Sequence, residues 1–415
     1  MPRHHLSGFI LFVLAAALAA CGQPKAQVPT ASATQEFDIL PVMYTLEPVT
    51  CTVVGKQPAH ESVQESIFPR LNSGDWVFGP EDAGITIIEY CDLQSPVCAQ
   101  LEPELTQILE NYAGDVCLVY RHFPLQGYDK TLMAAQAAEA AGRQGKEAFF
   151  EFLQLLYSGQ ADWYWLEPEG FPDWLDKKAA ELGLDTVKFS EDYSSGEVVQ
   201  AAISAQENAY EINIPGAPFL LINDVPYQGP RDYANMEAVI RLLLLEDHQF
   251  NECPQLTVDT EKHYQATIHT SKGDIVLLLY ADKTPVAVNN FIFLAREGWY
   301  DGVSFHRVVE GLAQAGDPSG TGFGGPGYAF NSEIDPTLSF DETGVIAMVN
   351  SGPNTNGSQF FITSVPFPEM NGLYPIFGSV TSGLDVLHYL TPVDPAQGDD
   401  PQSADKILSV TIEER

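Results

Sequence analysis

Cysteines are the residues of this 415-residue chain whose type and spacing point most directly to chemistry. Cys91 and Cys98 lie seven positions apart, a separation that a loop can close, and a cysteine thiolate is the group that attacks a disulfide. The pair is therefore a candidate for a disulfide bond or for thiol–disulfide exchange. Cys51 and Cys253 flank this region and could join its ends, although sequence does not establish the connectivity. Cys117, inside an apolar run, is predicted to stay free.

The elements around Cys91 and Cys98 follow an α/β order. A buried strand is predicted just before Cys91 and a helix begins near Cys98, because an apolar β-branched run gives way to helical periodicity. A second strand, a stretch of strong helix formers, a pair of strand-like runs and a final helix come next. In chain order these segments are Ile85 to Tyr90, Cys98 to Tyr112, Val116 to Tyr120, Ala134 to Leu156, Pro218 to Tyr227, and residues 235 to 246.

The chain changes character after Cys253, where short strand-like runs and Gly-rich loops replace the helices. The first two runs are Tyr264 to Thr270 and Ile275 to Tyr280, joined by a turn at Lys272 and Gly273. This pattern predicts a closed β domain. Because the two halves share no internal repeat, we expect two different modules with a boundary near residues 254 to 262.

The first residues predict export. Phe9 to Ala20 is an apolar run of 12 residues that follows a short basic start, and 12 residues are too few to span a bilayer. The segment from Leu18 to Gly22 resembles a bacterial lipobox, so Cys21 is predicted to carry the lipid; a plain secretory signal is the alternative. The predicted units are a signal peptide (1–20), a tether with an N-terminal extension (21–75), an α/β domain (76–253) and a β domain (258–415).

The composition excludes one class of binding partner. The chain has 20 basic and 56 acidic side chains and a net charge of −36. Such a surface repels nucleic acid, because binding there depends on Lys and Arg that neutralise phosphates. We therefore predict no nucleic-acid partner.

The β domain resembles the cyclophilin family of peptidyl-prolyl isomerases. The resemblance lies in long runs in the family's order, namely 284–291 (TPVAVNNF), 300–309 (YDGVSFHRVV), 314–318 (QAGDP) and 351–361 (SGPNTNGSQFF). It implies an eight-stranded closed β-barrel with two helices that isomerises proline-containing polypeptides, such as unfolded or exported chains. It implies no cofactor and no metal.

The same motifs assign site residues by resemblance. Arg307 is implied as the fixed donor, Gln314 as its polar partner and Phe361 as the floor of the proline pocket. Substrate contacts are implied at Leu312, Met348, Asn350, Gln359, Met370 and Tyr374. His306 is interpreted as structural, because isomerisation transfers no proton.

The cyclophilin-like motif departs from the family at one loop. The usual pattern Gly-Phe-x-x-Gln is shortened by one residue to Gly311-Leu312-Ala313-Gln314. A pocket aromatic is thus lost or replaced by Leu312, which predicts a weaker proline pocket and a reduced rate. A non-catalytic peptide-binding scaffold is the corresponding alternative.

The α/β domain resembles the DsbA-like branch of the thioredoxin fold, through residues 89–98 (EYCDLQSPVC), 120–125 (YRHFPL) and 215–219 (PGAPF). In that family two cysteines open the first helix and a cis proline faces them. The matching positions here are Ser95, Cys98 and Pro218, so the first cysteine has become Ser95. A hydroxyl forms no disulfide, and we predict a redox-silent, client-binding domain. A thiol–disulfide foldase that uses Cys91 and Cys98 is the alternative.

Overall fold

The computed structural model describes residues 51–54 and 67–415. The predicted signal peptide, Cys21 and most of the predicted tether lie outside these residues. Within the described part of the chain, no helix has the length and apolar character that crossing a bilayer requires.

The first half alternates strands and helices. Its elements are β1 (Cys51–Val53), β2 (Trp76–Phe78), β3 (Ile85–Cys91), α1 (Pro96–Asn111), β4 (Val116–His122), α2 (Thr131–Gly142), α3 (Lys146–Ser158), α4 (Gln160–Trp163), α5 (Phe171–Glu181), α6 (Thr186–Tyr193), α7 (Gly196–Glu211), β5 (Phe219–Ile222), β6 (Val225–Pro226) and α8 (Tyr233–Glu246).

Five of these strands form one sheet in the order β2-β4-β3-β5-β6. β3 and β4 are parallel, so Cys91 and His122 meet at the same edge of the sheet. The predicted helical stretch from Ala134 to Leu156 is two helices, because Gly145 takes a φ of +147° that a helix cannot contain. The predicted strands and helices occur in the predicted order, but the sequence analysis missed β2 and the four helices α4 to α7.

The second half is built on an eight-stranded antiparallel sheet. Its elements are β7 (Tyr264–Thr270), β8 (Gly273–Leu279), α9 (Pro285–Arg296), β9 (Arg307–Val309), β10 (Leu312–Ala315), β11 (Tyr328–Phe330), β12 (Val345–Met348), β13 (Phe360–Thr363), β14 (Ile376–Ser382), α10 (Val386–Tyr389) and β15 (Ile407–Glu414). The strand order is β15-β7-β8-β14-β12-β13-β10-β9. Alternate residues of these strands fill an interior core with α9, including Phe291, Met348, Phe360 and Phe377.

The end of the first half packs on the second half. Leu245 of α8 belongs to the interior core of the eight-stranded sheet, and the ring of Phe250 lies 4.9 Å from that of Phe293. A disulfide joins Cys51 to Cys253, and β1 pairs with β11. The two flanking cysteines therefore form a disulfide. The strand β1, which begins at Cys51, is added to the β domain.

Candidate functional site

The predicted catalytic residues lie in one row across three neighbouring strands. Gln314 on β10 is directly opposite Arg307 on β9 and, on its other side, directly opposite Phe361 on β13. Directly paired residues of antiparallel strands point to the same face of a sheet. The structure therefore brings Arg307, Gln314 and Phe361 together on the outer face, although they are up to 54 positions apart in the sequence.

The shortened loop sets the register of this row. Only Glu310 and Gly311 connect β9 to β10, and Gly311 has a φ of +83°. A side chain at Gly311 would be strained there, and its Cβ would lie 2.6 Å from Val365 and 2.8 Å from Phe367. The missing residue thus produces a two-residue hairpin that keeps Gln314 opposite Arg307.

An apolar cluster surrounds Phe361 on the outer face. The Phe361 ring stacks on Phe340 with centroids 5.7 Å apart and meets the edge of Tyr374 at 5.4 Å. Leu312 follows Gly311, where the family pattern has an aromatic residue. Its side chain belongs to the same cluster, and Met370 packs against that cluster. Phe361 keeps only 3% of its surface exposed, because this cluster packs around its ring.

Met348 lies elsewhere than the motif predicted. Its side chain is fully buried in the interior core, because strand alternation places it on the same face as Ile346. It therefore does not line the groove. On the outer face of the same strand the structure has Val345 and Ala347, which belong to the cluster around Phe361.

Gln359 links the row to the loop formed by residues 317–327, called the 317–327 loop below. Its Nε2 donates to the carbonyl oxygens of Gly322 and Gly324, each at 2.9 Å, and its Oε1 accepts from Gln314 Nε2 at 2.9 Å. Asn350 and Gln359 also line a cavity of about 400 Å³ beside this loop. Asn350 donates from Nδ2 to Asn356 Oδ1 at 3.0 Å.

Asp317 organises the 317–327 loop from inside. This buried carboxylate accepts hydrogen bonds from the backbone N–H of Ser319, Gly322 and Gly324 at 2.7 to 3.0 Å, and from the Ser319 hydroxyl at 2.6 Å. Hydrogen bonds to a charged group are the stronger kind. The sequence analysis assigned no role to Asp317. The feature that could have indicated one is a single acidic residue directly before a Gly-rich run.

Arg307 has an acidic neighbour that sequence reasoning missed. Its Nε lies 3.5 Å from Asp394 Oδ1, and the Arg307 side chain is 42% exposed. Val393, next to Asp394, bridges to Val308, so a loop 85 residues further along the chain is fixed beside β9. The guanidinium still faces solvent, which suits a donor that must reach a substrate.

His306 is buried between the row and the loop. Burial lowers the pKa of His306, which keeps the ring neutral at pH 7. A neutral, enclosed imidazole agrees with the structural role predicted for it.

The degenerate redox motif of the first half is a closed disulfide. Cys91 bonds to Cys98, and Ser95 caps α1 by accepting a hydrogen bond from Cys98 N at 3.4 Å. Cys91, Ser95 and Cys98 each expose 2% of their surface or less. The Ala217–Pro218 peptide bond is cis. Cys117 is unpaired and buried, as predicted.

A buried acid lies on the same strand as the disulfide. Glu89 exposes 3% of its surface, and its Oε1 has no hydrogen-bond partner. Burial, with repulsion from Glu102, raises the pKa of Glu89 to about 8. The carboxyl is therefore mostly protonated at pH 7. No group of three or more metal-ligating side chains occurs among residues 51–54 and 67–415.

Comparison with known proteins agrees with this geometry. Residues 265–412 match the family model described as cyclophilin type peptidyl-prolyl cis-trans isomerase/CLD, and residues 71–241 match the thioredoxin model. The peptidyl-prolyl cis-trans isomerase CYP18-1 of Arabidopsis thaliana is 45% identical over 150 residues, which are 35% of this chain and 94% of that protein. The probable peptidyl-prolyl cis-trans isomerase A of Mycobacterium leprae is 43% identical over 145 residues, 31% of this chain and 80% of that protein.

A solved structure of a cyclophilin type isomerase from Cryptosporidium parvum is 36% identical, with a TM-score of 0.35, and covers 37% of this chain and 99% of its own. The sequence matches show that the chain belongs to the cyclophilin family, and that it is a peptidyl-prolyl cis-trans isomerase (EC 5.2.1.8) with an added thioredoxin-like domain. The predicted two-domain class and the predicted activity are thereby confirmed, and the scaffold alternative is disfavoured.

Proposed function

We propose that this isomerase acts outside a bacterial cytoplasmic membrane on exported polypeptides, with Arg307 as its electrostatic catalyst. The observation that carries the proposal is the row of Arg307, Gln314 and Phe361 on one face of three adjacent strands. It places a guanidinium and an apolar floor on the same face of the sheet, with Gln314 between them. Those are the two features that rotation about an Xaa-Pro bond requires of a catalyst.

The chemistry follows from amide resonance. Uncatalysed rotation about the peptide bond has a barrier of about 18–20 kcal/mol and takes about 10–100 s. The apolar cluster around Phe361 would hold the proline ring, while the Arg307 guanidinium donates to the twisted amide. The reaction forms no covalent bond to the protein and transfers no proton, so it requires no acid–base catalysis by His306.

The stabilisation of the transition state must come from several groups. An acceleration of about 10⁵ corresponds to about 7 kcal/mol, whereas one well-placed donor contributes about 2.7–4 kcal/mol. Arg307 would therefore supply about half, and the remainder would come from the pocket and from the polar groups of Gln314 and Gln359.

We also propose that the chain closes its eight strands into a barrel. Ser304 and Lys406 form an antiparallel bridge beside the edge strands β9 and β15, and Phe305 N donates to Asp405 O at 2.9 Å. These contacts support closure at one corner.

The location is proposed from the N-terminal sequence. An apolar run followed by the lipobox-like Cys21 supports export and lipid attachment. Radiolabelled palmitate should enter the wild-type chain and leave Cys21→Ser unlabelled. Label that persists in the variant, or a wild-type chain that stays in the cytoplasm, would argue against the proposed anchor.

The thioredoxin-like domain is proposed to be redox-silent. Attack on a disulfide requires access to a sulfur atom, and Cys91 and Cys98 are both buried. We expect the native chain to show no fast-titrating thiols and no insulin reductase activity. A Cys91–Cys98 pair that cycles with a client disulfide would instead support the foldase alternative.

The function itself is tested with a secreted protein whose refolding is limited by proline isomerisation. Catalytic amounts of the wild-type chain should accelerate the slow refolding phase. An unchanged slow phase, together with turnover of a proline tetrapeptide, would argue against exported chains as substrates.

A further inference from the structure

A cleft lies between the two domains, beside two segments of the β domain that adjoin the isomerase site. It has a volume of about 970 Å³, at the upper end of the range of ligand-binding clefts. One wall is the outer face of α8 with the segment 222–230, and the other wall comes from residues 321–323 and 395–401 of the β domain. We call it the interdomain cleft.

Both β-domain parts of the cleft are next in sequence to residues that contact the catalytic row. Residue 395 follows Asp394, whose carboxylate pairs with Arg307. Phe323 lies between Gly322 and Gly324, the two residues whose carbonyl oxygens Gln359 binds. A polypeptide that extends from the row along either segment would enter the cleft.

The lining of the cleft is apolar and partly exposed. Phe323 is 86% exposed and Val225 is 63% exposed, on opposite walls. Exposed apolar side chains grouped in a concavity mark interaction sites. Val187, at 68% exposure on α6, is by contrast the one apolar residue among the polar and charged residues that line its surface depression.

The charges at the cleft favour a cationic occupant. Asp232, Glu237, Asp399 and Asp400 line it, and the single cation among the lining residues, Arg241, already pairs with Glu237 and donates to Ser319 O. The chain as a whole carries a net charge of −36. An acidic partner would be repelled, whereas Lys and Arg of an unfolded segment would be attracted.

We propose that the interdomain cleft binds an extended, apolar segment of the client that carries Lys or Arg and lies next to the proline being isomerised. This inference deepens the proposed function and depends on it, because it names the surface with which the redox-silent domain would hold the substrate. The thioredoxin-like domain then contributes affinity through α8 and the strand β6, and the β domain contributes catalysis.

The test compares a proline tetrapeptide with a longer peptide that continues the same sequence into an apolar, Lys-containing segment. We expect the wild-type chain to have a KM at least tenfold lower for the long peptide. Val225→Ser should lose most of that advantage, about a tenfold rise in KM for the long peptide. The matched control is Val187→Ser, which should keep the advantage.

The outcomes separate the two proposals. No turnover of the tetrapeptide would overturn the catalytic proposal, whereas normal tetrapeptide turnover without any advantage for the long peptide would overturn this inference alone. An equal loss for both peptides in Val225→Ser would also overturn it. So would sedimentation showing that Val225→Ser only separates a dimer, since the occupant would then be a second copy of the chain. An acidic counterpart of the long peptide should show no advantage.

Discussion

Replacing Gln359 by Glu tests whether the catalytic row depends on the 317–327 loop. Gln359 donates to the carbonyl oxygens of Gly322 and Gly324 at 2.9 Å each and accepts from Gln314. Glutamate has nearly the same shape, but its carboxylate cannot donate. The variant would therefore lose both loop contacts and keep the acceptor that faces Gln314.

The magnitude follows from those two contacts. A neutral hydrogen bond contributes about 0.5–1.5 kcal/mol net, so two contribute about 1–3 kcal/mol. That range corresponds to about 5–150-fold in the equilibrium between a closed and an open loop. Because Asp317 holds the loop independently, we expect the lower end, a fall of about 5–20-fold in kcat/KM.

The assay is turnover of a proline tetrapeptide, measured beside a thermal melt. Gln107→Glu is the matched control, since Gln107 is exposed on α1 in the other domain and undergoes the same change of charge. We expect Gln107→Glu to behave as the wild-type chain. If Gln359→Glu also turned over the peptide at the wild-type rate, the link from the loop to the row would be refuted.

Three further predictions concern charge, redox state and pH. Asp394→Asn should raise kcat/KM up to about fivefold at low salt by leaving the Arg307 charge uncompensated, since exposed pairs contribute about 0.2–1 kcal/mol; a fall would show that Asp394 instead orients Arg307. The double variant Cys51→Ser/Cys253→Ser should lose about 2–5 kcal/mol of stability in urea, because the bridge closes a loop of 202 positions; an unchanged midpoint would contradict this. The folded-state pKa of Glu89 is raised to about 8, so the folded state binds more protons than the unfolded state above pH 4.5, and stability should fall as pH rises from about 4.5 to 8. Glu89→Gln should flatten that slope in thermal melts, and an unaltered slope would refute the assignment.

The sequence predicted the parts of the fold that depend on local pattern. The runs before Cys91 and around Val116 are mostly apolar, so their strands and the helix at Cys98 were predicted within a few residues. The break at Gly145 was missed, because the flanking Ala-rich and Leu-rich segments both favour helix and a single Gly does not dictate its own φ.

The residues of the candidate site were likewise predicted only in part. Motif matching found Arg307, Gln314 and Phe361, which pair in one row. It misplaced Met348, because a motif gives order along the chain and not the face of the strand on which a side chain lies. Asp394 and Leu245 carry no local signal. Their partners, Arg307 and the interior core of the β domain, come near only through tertiary packing.

The central claim is that the guanidinium of Arg307 stabilises the twisted Xaa-Pro amide. The most direct measurement is kcat/KM for a proline tetrapeptide with Arg307→Ala and Arg307→Lys beside the wild-type chain. We predict a loss of about 10²–10³-fold in Arg307→Ala, with a smaller loss in Arg307→Lys, which keeps the charge without the planar fork. Because the side chain is partly exposed, the melting temperature should barely change. Wild-type turnover in Arg307→Ala would contradict the claim.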